Sequence, residues 1–160
     1  MRAAIITATV SASLLVATAP AGASSTAPID PQSMTVTASS HAASARNVRI
    51  AVTLRYRMQC NYPGAGPLVV SFPKALKPPK KLAAGAVRIA GKPIAATVDG
   101  RQVTVTIPSP TGTLCGVVGP GLVKLVFTPK AHLSNPSRPG SYRFTATHAP
   151  RTFAAKLHIS

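Results

Sequence analysis

Between Asn47 and Cys60 the chain reads NVRIAVTLRYRMQC, and this alternation restricts the fold more than any other stretch. Val48, Ile50, Val52, Leu54, Tyr56, Met58 and Cys60 interleave with Arg49, Ala51, Thr53, Arg55, Arg57 and Gln59. Side chains two apart share one face of a β-strand, whereas a helical period would spread these apolar residues around its whole circumference. The segment is therefore predicted to be a long strand with one buried face and three arginines on the other.

The same period recurs along the chain. Met34–Ser39 predicts a first strand, and His41–Arg46 a connection to the long one. Asn61–Gly66, with a proline and two glycines, predicts a loop, and Pro67–Phe72 a strand with Leu68, Val70 and Phe72 in phase. Pro73–Lys81 reads PKALKPPKK. Its prolines lack the donors a central strand needs, so it is predicted as an exposed, stiffened basic connection. Val87–Ile89, a turn at Gly91-Lys92 and Ile94–Val98 follow. Asp99-Gly100 then marks a hairpin suited to the positive φ angles of a type I′ turn, after which Val103, Val105 and Ile107 resume the alternation. Pro108–Gly121 is predicted as loop, Leu122–Thr128, Ser141–Thr147 and Thr152–Ile159 as strands, and Pro129–Gly140 as a long turn region. About nine short strands and no helix predict an all-β domain, an antiparallel immunoglobulin-like β-sandwich of about 7–9 strands. A small β-barrel is the alternative, because alternation does not specify connectivity.

The run VRIAGKPIAATVDGRQVTVTIP, followed by GLVKLVFTPKAHLSNPSRPGSYRFTAT, resembles a segment of exported bacterial proteins. There, a strand with a short Gly turn leads to a Gly hairpin and a TVTI-P strand. An Asn-Pro, a Gly and a Tyr-x-hydrophobic-Thr strand follow. The resemblance covers about residues 86–147 and implies an exported immunoglobulin-like β-sandwich module of unassigned role. Cys60, Cys115 and the Lys-Pro segment have no counterpart in that pattern.

Met1-Arg2, the small and apolar run Ala3–Ala19, and the small-x-small triplet Ala21-Gly22-Ala23 predict a signal peptide over residues 1–23. Residues 24–33, polar and proline-bearing, are expected to form a flexible leader, and residues 34–160 a single β-sandwich domain. No later stretch is long and apolar enough to cross a bilayer as a helix, so no transmembrane segment is expected in the mature chain. The expected location is secreted, extracellular or associated with the cell envelope. In that oxidising setting the two cysteines, Cys60 and Cys115, are expected to form one disulfide. Closing a loop of about 55 residues would lower the unfolded-chain entropy by an amount on the order of 4 kcal/mol.

Charge bounds the chemistry. The sequence holds 18 Lys and Arg against two acids, Asp30 and Asp99, a formal net charge of +16. It contains no glutamate. Paired-carboxylate catalysis needs two acids close together, and Asp30 and Asp99 fall in the leader and in a turn. His41, His132, His148 and His158 are scattered along the sequence and are read as exposed surface histidines. No glycine loop precedes a helix that could cradle phosphate. No catalytic residue, metal site or cofactor is predicted.

The cations are the abundant signal. Arg49, Arg55, Arg57, Arg88, Lys124, Arg143 and Lys156 take the outward phase of their strands, and Lys74, Lys77, Lys80 and Lys81 line the proline segment. Tyr56, Phe72, Phe127, Tyr142, Phe144 and Phe153 take the inward phase, leaving Tyr62 in a loop. Exposed rings for stacking on sugars or unpaired bases are therefore scarce, which argues against such ligands and against a specific nucleic-acid partner. The expected function is a non-catalytic module that associates electrostatically with an anionic polymer or acidic surface, with these basic residues as the anion-binding set. Two alternatives stand beside it: a structural or protein-interaction domain whose charge serves solubility, and an exported enzyme or inhibitor using a His/Ser or Lys loop site.

Overall fold

The computed structural model describes residues 31–59, 66–107, 118–149 and 151–160. Ten strands are present: β1 (Pro31–Ala38), β2 (Ile50–Gln59), β3 (Gly66–Ser71), β4 (Val87–Ile89), β5 (Lys92–Pro93), β6 (Ala96–Asp99), β7 (Gln102–Ile107), β8 (Val118–Phe127), β9 (Gly140–His148) and β10 (Arg151–Ile159). One turn of 3-10 helix, η1, spans Pro129–Ala131. The first sheet has the order β1-β2-β8-β4-β5 and the second the order β10-β9-β3-β7-β6. Every pairing is antiparallel. The two sheets are separate, so the domain is an immunoglobulin-like sandwich and the barrel alternative falls away.

The long alternating segment forms β2, paired on one side with β1 and on the other with β8. Val48, Ile50, Val52 and Leu54 are buried, while Arg49 and Arg55 are exposed, as a strand with one covered face requires. Opposite them, Leu68, Val70, Val103, Val105, Phe144, Ala146, Leu157 and Ile159 supply the inner face of the second sheet. Three rings lock the layers together. Phe72, just beyond β3, meets Phe127 of β8 edge-on at a centroid distance of 5.0 Å and Phe144 of β9 at 5.2 Å. Tyr142 and Phe153 are half-buried and pack against this core.

Several boundaries differ from the sequence reading. β1 starts at Pro31, inside the expected leader, and β8 starts at Val118, inside the expected loop. Gly91-Lys92 is not the turn; the loop is Ala90-Gly91, because Ile89 pairs with Lys92. Both loop residues have positive φ, 48° and 79°, so this hairpin carries the type I′ signs. The Asp99-Gly100 hairpin does not. Val98 pairs with Val103 and Asp99 with Gln102, leaving Gly100-Arg101 as the loop with positive φ at Gly100 alone. Asp99 is thus the last strand residue, and the signs are those of a type II′ turn. Between the two hairpins, Ile94-Ala95 carries the chain from one sheet to the other.

The Pro73–Lys81 segment joins the second sheet to the first without entering either. Lys74, Lys77, Lys80 and Lys81 are exposed, and Leu76 and Pro78 are buried beneath them. At the end of the first sheet where Ala38, Ile50, Phe127 and Val87 lie level, residues 39–48 return from β1 to β2 against residues 133–136 and the C-terminus. Val48 donates to Leu133, Asn135 to Ala45, Ser44 to Pro136, Ala43 to Ser160 and Ser160 to His41 through backbone N–H groups. Tyr142 Oη donates to the carbonyl of Arg138 at 2.6 Å, a tyrosine corner at the entry to β9.

Candidate functional site

Because β2, β8 and β4 are neighbours, the basic residues of three distant sequence segments meet on the outer face of the first sheet. Val126 on β8 stands opposite Ala51 of β2 and, on its other side, opposite Arg88 of β4. Lys124 lies two residues along β8, opposite Thr53, and Arg49 lies two residues before Ala51. Directly opposed side chains in such a ladder have Cβ atoms about 5 Å apart, and four residues of strand span about 13 Å. Arg49 and Lys124 therefore approach the Ala51–Val126 pair from opposite ends, and Arg88 from the side.

The result is a depression of about 540 Å³ bordered by Arg49, Arg88 and Lys124, with Val126, Ala90 and Pro129 among its apolar lining. A smaller one of about 190 Å³ adjoins it. Arg49 and Lys124 border both, and Thr37, Ser39 and Ala51 complete the second. Although Ala51 and Val126 are in the outward phase, they are only 7% and 9% exposed. Long cationic side chains cover small apolar ones by laying their methylene stems across them and keeping the charged heads in water. Arg88 is held over its own hairpin by a hydrogen bond from Nη1 to the carbonyl of Gly91 at 3.3 Å. A third depression, about 480 Å³ near the Ile94-Ala95 crossover, is lined by residues 82–85, 87 and 93–96 and by no charged side chain.

Arg55, exposed on β2, extends the cationic face toward Leu122, its direct partner on β8. Arg57 stands two residues further along β2, opposite Pro120. Asp99 is the one acidic side chain among the described residues, and it belongs to β6 in the other sheet. The remaining predicted residues are elsewhere. Arg143 and Lys156 face each other across β9 and β10 of the second sheet. Lys74, Lys77, Lys80 and Lys81 occupy the connection between the sheets. Cys60 and Cys115 lie outside the described residues, as do Tyr62 and Asp30.

The histidines require a correction. His148 is not on the surface: at 5% exposure it is the last inward residue of β9, paired with Leu68 and Arg151. His41, His132 and His158 are exposed. His41 Nδ1 donates to the backbone carbonyl of His158 at 2.6 Å, and His132 Nδ1 donates to Asn47 Oδ1 at 3.0 Å. Both ring contacts pin loops. Among the described residues no group of three or more His, Cys, Asp or Glu converges as a metal site would need.

No protein-family model and no curated protein matches the chain. Solved structures similar to it include the bacterial hydrophobin BslA, at 17% identity and a TM-score of 0.47, over 80% of this chain and 98% of that one. A non-cellulosomal cohesin from the hyperthermophilic archaeon Archaeoglobus fulgidus is similar at 13% identity and a TM-score of 0.40, over 80% of this chain and 91% of that one. Both likenesses concern the fold alone. No helix among the described residues is long and apolar enough to cross a membrane.

Proposed function

We propose that this protein is an exported, non-catalytic β-sandwich module that binds an anionic partner through the outer face of its first sheet. The reading rests on one observation: Arg49, Arg88 and Lys124, far apart in sequence, border a single depression. Like charges that gather without a carboxylate among them repel one another, and an anion that joins them relieves the repulsion and releases counterions from its own atmosphere.

Location can be separated from net charge by two substitutions that alter the formal charge equally. Lys124→Glu falls inside the depression, and Lys156→Glu falls on the opposite sheet. On polyphosphate-coated beads at low salt, Lys124→Glu is expected to weaken retention several-fold more than Lys156→Glu, and wild-type retention should vanish in high salt. Equal losses in the two variants would mean that overall charge acts without a site, and retention that persists in high salt would remove the electrostatic reading altogether.

A further inference from the structure

The outer face of the first sheet is not uniformly polar. Leu122 is 61% exposed, the one large hydrophobic side chain so displayed among the described residues. It projects from β8 directly opposite Arg55 and two residues from Lys124, so it shares the face that holds the cationic depression. Ala51 and Val126, bordered by Arg49 and Arg88, lie further along the same face beyond the Lys124–Thr53 pair, but at 7% and 9% exposure they are covered, so Leu122 is the apolar side chain this face presents.

We propose that the anionic partner is a lipid bilayer surface, docked by this face with Leu122 entering the headgroup boundary and Arg49, Arg55, Arg88 and Lys124 meeting the anionic headgroups. This inference rests on the preceding one and names its partner. A linear polyanion would be held by the cations alone and would leave Leu122 in water. A planar anionic surface uses both, since apolar burial and attraction to acidic lipids add on interfacial proteins. A second copy of the chain is a poorer occupant, because the same face of that copy would bring the same four cations against these.

The experiment uses vesicles of phosphatidylglycerol and phosphatidylcholine, vesicles of phosphatidylcholine alone, and soluble polyphosphate as the lipid-free anion. The protein is expected to sediment with the phosphatidylglycerol vesicles and not with phosphatidylcholine alone. Leu122→Ser, a change at an exposed position, is expected to weaken vesicle binding about tenfold while leaving polyphosphate binding unaltered. The sequence contains no tryptophan, so Leu122→Trp introduces a single reporter whose emission should shift to the blue on the anionic vesicles. Vesicle binding unchanged by Leu122→Ser, or no blue shift in Leu122→Trp, would overturn the inference. Binding to polyphosphate but not to phosphatidylglycerol vesicles would overturn it and leave the anion-binding reading intact; binding to neither would remove both.

Discussion

Asn135 Nδ2 donates to the backbone carbonyl of Ala42 at 2.8 Å, and its second amide hydrogen reaches the carbonyl of Ser40 at 2.9 Å. The side chain is 5% exposed, and its backbone N–H is engaged by Ala45. One buried amide thus ties residues 39–48 to the long turn before β9. Asn135→Ala removes both donors and is expected to lower the unfolding free energy by about 2 kcal/mol. Asn135→Asp should cost more, because a carboxylate has no hydrogen to offer and would face two carbonyl oxygens in a buried place. Urea unfolding at constant slope checks both; variants within 0.5 kcal/mol of wild type, a figure below the usual range for such a loss, would show that the tie is dispensable.

Ala90 adopts φ 48° at the tip of the β4–β5 hairpin. A Cβ in the left-handed region crowds the following carbonyl, a penalty that glycine does not pay. Ala90→Gly is therefore expected to raise stability by about 0.5 kcal/mol, net of the extra freedom it gives the unfolded chain, and Ala90→Val to lower it. Thermal unfolding of the two variants in parallel reads the sign directly.

Phe72 is the middle ring of the three that join the sheets. Phe72→Leu keeps most of the buried volume and should cost about 1 kcal/mol, whereas Phe72→Ala opens a cavity between the layers and should cost about 3–5 kcal/mol. If Phe72→Leu proves neutral by calorimetry, the edge-on ring contacts contribute nothing beyond filling space; if it costs as much as Phe72→Ala, the cavity adds nothing and the ring contacts carry the loss.

Arg143 and Lys156 stand directly opposite one another on the outer face of the second sheet. Like charges in that relation are unfavourable, so Lys156→Glu should raise stability by about 0.5 kcal/mol. The gain should fade as salt is added.

Alternation made the sandwich legible, because residues such as Ile50, Val52, Phe144 and Leu157 can be buried together only if their strands pair in phase. Turn type was less legible. Asp99-Gly100 carries the residues of a type I′ turn, but the register chosen by Val98 and Val103 moved Asp99 into the strand, while the unassuming Ala90 took the left-handed position. The phase of each cation could be read one strand at a time. Their convergence could not, since it depends on β8 lying between β2 and β4, a fact of long-range pairing. Two local signals did point to it: Ala51 sits among the polar positions of β2, and Val126 breaks the alternation of Leu125 and Phe127. His148 continues the inward phase of Tyr142, Phe144 and Ala146, but the expected strand ends at Thr147, one residue short of it.

The first sheet ends at β5, a strand of two residues, Lys92 and Pro93. Its border with the solvent therefore offers an incoming chain an imino nitrogen that cannot donate and an ammonium group that repels a like-charged neighbour. A chain so rich in β-structure would otherwise be a template for fibril growth along that margin; here the ladder is closed off by its own last two residues.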